Sequence, residues 1–337
     1  MTEFIHLTNK TEYSLSEGAL PIARIAELCQ TFNMPAVGIT DSNNMFGALE
    51  FSTEISKAGI QPIIGCNIKI KTPSEFINEN VQDPFFYVNI FSKNNEGYLN
   101  LLQLISTSYM SNKKDSYLEI NDLIKLKEGI IVLTGGNNSI LKQCKNQIIT
   151  KQANLFIKLL KENFDHNLYM EIQRLGRNHE ILNEHSILTI ACDNNIPLVA
   201  TNDVFFEGPE HYEAHDALVC IEKKLFVSQS DRVRLSDQHY FKSPNEMKDL
   251  FKDLPEALNN TIEIAERCSY MPAIQKPILP EFPVKELTEK DLITKLAING
   301  LDKRLEEKFI LEKMDLENQN KIRFMYNERL QKELNII

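Results

Sequence analysis

The sequence predicts an α/β protein whose strands close into a distorted seven-stranded (β/α) barrel, followed by a helical C-terminal segment. Three observations lead there. From Phe4 to about Val204, short apolar runs of strand length alternate with amphipathic stretches of helix length. The residues able to do chemistry sit at the ends of the apolar runs, where barrels place their sites. From Ser243 onward only helical patterns remain.

In chain order, strands are expected over 4–8, 36–40, 62–71, 85–91, 129–133, 167–172 and 197–200, in a mostly parallel arrangement. Helices are expected over 20–33, 46–58, 96–108, 151–163 and 180–194. Ser243-Pro244-Asn245-Glu246 supplies a cap and a first-turn proline, and Leu254-Pro255-Glu256 begins a second helix reaching Cys268. Pro272, Pro277, Pro280 and Pro283 then mark an extended linker and a domain boundary. Thr288-Glu289-Lys290-Asp291 opens a helix to about residue 307. A last helix from about residue 315 sets Ile322, Met325, Tyr326, Leu330 and Leu334 on one face. Nothing in the sequence follows to cover that face, so the chain is expected to be a truncated piece of something longer, the alternative being that the helix folds back onto the preceding domain.

Composition narrows the function. A formal charge of −10 argues against this chain gripping nucleic acid by itself, since phosphate binding relies on clustered Lys and Arg. Short basic runs such as Lys113-Lys114 and Arg232-Val233-Arg234 read as solvated loops. Cys29, Cys66, Cys144, Cys192, Cys220 and Cys268 lie far apart without a C-x-x-C pair, which points to free thiols in a reducing compartment. No apolar run approaches a membrane span, and no signal segment opens the chain, so the expected location is cytoplasmic, without a membrane partner.

Several segments carry a resemblance. Phe4 to Leu15, Ile39-Thr40-Asp41-Ser42-Asn43-Asn44-Met45-Phe46-Gly47-Ala48, Pro62-Ile63-Ile64-Gly65-Cys66 and Ser92-Lys93-Asn94-Asn95-Glu96-Gly97-Tyr98-Leu99-Asn100-Leu101 resemble, in order and spacing, the PHP (polymerase and histidinol phosphatase) domain of bacterial DNA polymerase III alpha subunits. Leu198 to Val204, Glu213-Ala214-His215-Asp216, Leu254 to Cys268 and Tyr326 to Leu334 extend the likeness along the whole length. It implies a PHP domain over 1–270, then a linker and the beginning of the palm region over 271–337, truncated before the polymerase active site. The chain contains no Asp-x-Asp, whereas two-metal nucleotidyl transfer needs paired carboxylates.

Active PHP domains gather about nine His, Asp, Glu and Cys side chains around as many as three metals. By the resemblance, the opening His-x-His pair falls on Thr8 and Lys10, with His6 one step outside it. Further ligand positions fall on Ser42, Asn67, Tyr87, Gly136, Leu175 and Phe205, while Asp41, Glu171 and Asp203 match. A lysine ammonium has no lone pair and opposes a cation. The expectation is a vestigial site holding no metal, with Lys10 pairing with Asp41, Glu171 or Asp203 in the cation's stead. Asp41 can cap the helix after it, and Asp203 can serve an Asx-type turn. His211 and His215 are four apart, a zinc-capable spacing without an evident third ligand.

The resemblance implies DNA-directed DNA synthesis for the full-length protein, with Mg2+ as its cofactor and none in this piece. Its implied partners are the proofreading exonuclease subunit, other replicase subunits, and DNA through parts of the longer chain. The competing expectation is an active metal-dependent PHP phosphoesterase or 3'-5' exonuclease.

Overall fold

Six strands, β1 (Ala36–Ser42), β2 (Gln61–Lys71), β3 (Phe85–Ser92), β4 (Ile130–Leu133), β5 (Leu168–Gln173) and β6 (Leu198–Thr201), form one sheet in chain order. The computed structural model describes residues 4–73, 84–111, 116–143, 147–229, 231–232, 234–274, 276–280, 282–284 and 287–337. Lys113-Lys114, Val233 and Cys144 lie outside the described residues.

Two expectations are corrected. The sheet is mixed: β3 runs antiparallel to both β2 and β4, and the other three pairings are parallel. A parallel return needs a crossover, usually a helix, and the sequence between β2 and β3 carries no helical pattern. The second correction concerns the seventh strand, expected over 4–8. His6 O accepts from Gly38 N at 2.8 Å and Asn9 O accepts from Thr40 N at 2.9 Å, so three residues of this segment span two of β1. That mismatch interrupts a regular ladder, and the segment makes one isolated bridge, Asn9 with Val204. Lys10 N donates to Val204 O and Val204 N donates to Thr8 O, so an irregular strip joins β1 to the chain just after β6. The strip lies close against β1. A Cβ on Gly38 would fall 2.2 Å from Leu7 O.

Strand alternation separates two faces. On the outer face, Val37, Ile39 and Ile64 pack with α1 (Ile22–Thr31) and α2 (Ala48–Lys57). Ile68, Val88, Val132 and Met170 pack with α3 (Asn95–Ser111), α4 (Ile120–Lys125), α5 (Gln147–Phe164) and α6 (Asn178–Asp193). On the inner face, Ile63, Phe91, Ile131, Tyr169 and Val199 meet Ile5 and Leu7 of the strip. After α7 (Tyr212–Lys223) and α8 (Pro244–Leu250), helix α9 (Pro255–Arg267) closes that apolar layer with Ile264 and Ala265. Its Thr261 hydroxyl accepts Ile5 N at 3.0 Å. Further along these inner rows the side chains turn polar, two residues on at Asn89, Glu171 and Thr201 and four on at Asn67, beyond Gly65. Burying such groups costs free energy unless their hydrogen bonds are made.

Internal contacts divide the chain into Met1–Ile274 and Gln275–Ile337. The second unit pairs α10 (Glu289–Glu312) with α11 (Leu316–Ile336), each opened by a side-chain cap, Thr288 on Asp291 N and Asp315 on Asn318 N. Leu305 and Phe309 of α10 are buried. Ile322, Tyr326, Leu330 and Leu334 of α11 are half-buried in a row, whereas Met325, expected on the same face, is exposed. No described helix is long and apolar enough to cross a membrane. Cys29, Cys66, Cys220 and Cys268 are buried free thiols and Cys192 is exposed.

Candidate functional site

Two hydrogen-bonded clusters occupy the end of the sheet where β1, β5 and β6 finish. The first is built on the N-terminal turn. Lys10 is buried, and its ammonium donates to Ser42 Oγ at 3.1 Å; Ser42 Oγ in turn donates to the Glu17 carboxylate. Asp41 accepts from Thr11 N at 2.7 Å, Thr11 Oγ1 at 2.8 Å and Ser14 Oγ at 2.6 Å. It therefore anchors the Thr11–Ser14 turn, and α2, whose N-cap is Gly47, has no side-chain cap. Burial raises the Asp41 carboxyl above its ordinary value, opposed by the Ser14 and Thr11 hydrogen bonds and by the nearby Lys10 charge.

Asp203 follows β6 in a left-handed conformation, φ 49°. Its N–H donates to Thr8 Oγ1 at 3.2 Å, and its carbonyl lies 2.8 Å from the His239 ring. Among the described residues its carboxylate makes no hydrogen bond and no ion pair within 4.0 Å. Burial raises its pKa, against the attraction of Lys10 and Arg177. The expected direct pair of Lys10 with a carboxylate is thus replaced by a hydrogen bond to Ser42, with Asp41 and Asp203 felt through space.

The second cluster centres on Glu171, buried on β5. Oε2 accepts from Asn89 Nδ2 at 2.9 Å and Gly135 N at 3.0 Å; Oε1 accepts from Thr201 Oγ1 at 2.5 Å and Gln173 Nε2 at 3.1 Å. Asn67 Nδ2 donates to Asn89 Oδ1 at 2.8 Å, which extends the network to β2. Burial pushes the Glu171 carboxyl up to about 7, helped by the Asp203 charge and opposed by these hydrogen bonds. Gly135 reaches it through φ 85°, and a Cβ there would collide with Tyr87 O, so this glycine turn presents an amide to a carboxylate.

The other expected positions lie around these clusters. Gly136 starts a short 3-10 turn beside the Gln173 side chain. Tyr87 is half-buried on β3, opposite Lys69 and two residues before Asn89. Leu175 is buried, and its N–H donates to Glu180 at the start of α6. Phe205 packs between the His215 and His239 rings at 5.5 and 5.1 Å. His6 is buried between Phe4 and Phe241 and bonds Lys242 O at 2.7 Å; burial lowers its pKa to about 4. His215 bonds Glu17 O at 2.6 Å while His211 sits exposed beside Glu210, so the two share no ligand geometry. Arg232 grips the buried Asp216 through both guanidinium NH groups at 2.5 Å, which makes that basic run structural.

Sequence reasoning did not single out Glu17, Asn89, Gln173, Thr201, Arg177 or His239. Asn89 and Gln173 carried a signal, the period-two step from Phe91 and Glu171 on the inner face. Glu17 and Arg177 lie in turns, where periodicity is silent.

Among the described residues no group of three or more His, Cys, Asp or Glu side chains is placed to hold a metal ion. The donor set does not fit one. An ammonium stands beside Ser42, and the oxygens of Glu171 and Asp41 already accept protein hydrogen bonds. Of the buried acids in these two clusters, Asp203 alone has a carboxylate without a hydrogen-bond partner among the described residues, and zinc or manganese needs several donors.

The PHP domain family model matches residues 6–175. The sequence is 38% identical to DNA polymerase III subunit alpha of Rickettsia felis over 99% of this chain, and 38% identical to that of Caulobacter vibrioides over 90%. The Haemophilus influenzae subunit is 33% identical over 99%. The chain spans 27 to 28% of the length of these curated relatives. An amidohydrolase structure from Chromobacterium violaceum aligns at TM-score 0.39 with 10% identity, over 60% of this chain and 87% of that one, too distant to carry an argument.

Proposed function

The chain belongs to the PHP domain family, and from that premise we propose that it is the N-terminal part of a replicative DNA polymerase alpha subunit whose PHP domain has become a metal-free structural and docking module. Residues 271–337 are the start of the palm region in this reading. DNA synthesis with Mg2+ belongs to the longer protein, and the docking partner is the proofreading exonuclease subunit. The observation that carries the reading is the buried Lys10 ammonium, hydrogen-bonded at a position where the family has a metal ligand. A metal-dependent phosphoesterase activates its water with a bound Lewis acid, and the residues that would hold one here are committed to one another. The charge of −10 favours a protein partner over direct DNA binding by this piece.

Elemental analysis of protein purified without chelator tests this. The expected result is less than about one equivalent of zinc and manganese together, with no phosphodiesterase activity under any divalent metal. Two or three tightly held metals would sink the reading, as would hydrolysis of single-stranded DNA that disappears in Asp203→Ala.

A further inference from the structure

The end of the sheet opposite the Lys10 and Glu171 clusters carries a groove of about 830 Å3, at the N-terminal ends of β5 and β6. Ala191, Ile196, Pro197 and Leu254 give it an apolar floor between the end of α6 and the start of α9. Its charged rim is uneven. Lys161 is paired with Asp165 at 3.1 Å and Glu263 with Arg267 at 3.6 Å. Arg174 serves both Glu184 and Asp253, each at 2.6 Å, and the Lys252 charge also acts on Asp253, so that group is close to neutral. Glu256 has no ion-pair partner among the described residues and leaves the rim an uncompensated negative charge. The α9 side of the groove is therefore net acidic, on a chain that is itself strongly acidic.

We propose that this groove is a docking site for a partner segment that lays an apolar side chain on the floor between Ala191 and Pro197 and places Lys or Arg against Glu256 and Asp253. Charge complementarity argues for that occupant, because an acidic rim attracts basic segments and disfavours acidic ones. The apolar floor supplies the anchor that binding energy concentrates on. The inference rests on the docking reading above and locates it away from the former metal pocket. Loss of the metal ligands and use of the groove are thus structurally independent.

Calorimetric titration of this chain with the proofreading exonuclease subunit of the same cell tests it, at low and high salt. Wild-type protein should bind, more weakly at high salt. Glu256→Lys and Cys192→Arg, both at exposed groove positions, should each weaken binding by about tenfold or more, while Glu222→Lys on α7 should match wild type. Wild-type affinity in both groove variants overturns the groove and leaves the docking reading standing. No binding by wild type overturns the docking reading, and this inference with it. A photo-cross-linker on Cys192, in a Cys144→Ser background, reads the occupant independently of substitutions that fill the groove. Cross-linking to a basic, apolar segment of the partner supports the proposal, and cross-linking to an acidic segment, or none despite binding, overturns it.

Discussion

The Lys10 ammonium rests 3.1 Å from Ser42 Oγ, and through that hydroxyl the N-terminal strip is tied to the end of β1. Ser42 passes the contact on to Glu17, while Asp41 holds Thr11 and Ser14. One tethered positive charge thus sits among Glu17, Asp41 and Asp203. Replacing it with Met leaves those carboxylates without their common cation and Ser42 without a donor. Lys10→Met is expected to lower stability by roughly 2–4 kcal/mol in urea unfolding at pH 7, less than a direct buried pair costs at most. An unchanged midpoint would show that Lys10 fills space and nothing more.

Glu171 makes stability depend on pH in a defined window. Its folded pKa, about 7, lies above the ordinary 4.5, so the folded state holds the proton more tightly than the unfolded chain does. Its contribution is fully present below about pH 4.5 and is lost as pH rises towards 7, by an amount on the order of 3 kcal/mol. Glu171→Gln can turn its amide NH2 to Thr201 Oγ1 and keep an acceptor oxygen for Asn89 and Gly135, with the Gln173 amide flipping to present its oxygen in place of Nε2. The variant should gain on wild type as pH rises from 4.5 to 7.5, measured by urea unfolding at several pH values. A difference that stays constant with pH contradicts the raised pKa.

His6 acts in the opposite direction. Burial holds it neutral, with a pKa of about 4 against 6.5 in the unfolded chain. Stability attached to it is present above pH 6.5 and drains away as pH falls towards 4, again on the order of 3 kcal/mol. His6→Phe, which fits between Phe4 and Phe241, should flatten the acid limb of the stability profile. Its cost at pH 7 is the lost bond to Lys242 O, about 1 kcal/mol. The buried His239, lowered to about 3, leaves a residual acid slope in the variant. An acid limb as steep as wild type would place the sensitivity elsewhere.

Between pH 4.5 and 6.5 these groups oppose each other: Glu171 favours the folded state at lower pH, while His6 and His239 favour it at higher pH. Removing Glu171 should therefore steepen the rise in stability with pH in this window, while removing His6 should flatten it.

Family membership and the α/β pattern were legible because both live in local sequence. Apolar periodicity marks β2, β3 and β5 directly, Ser243 and Glu246 announce α8 as a capping box, and the segment Thr40 to Ala48 carries its family spacing in plain order. That Lys10 cannot itself ligate a metal was equally plain, since an ammonium's lack of a lone pair is a property of the residue itself.

What only the tertiary structure decided is which groups meet. Residues 4–8 read as a seventh strand, but whether they form one depends on register against β1, and the three-against-two step from His6 to Asn9 breaks it. The reversal of β3 is likewise seen only in its pairing with β2 and β4, since period-two alternation reads the same in either strand direction. Asp41 chose the Thr11–Ser14 turn over a helix start, and Lys10 chose Ser42 over a carboxylate, because short-range hydrogen bonds are settled by distances of a few tenths of an ångström between segments about 30 residues apart. Sequence determined the chemical identity of each donor and acceptor; folding alone set their separations, and buried polar groups take whichever partner that geometry brings within reach.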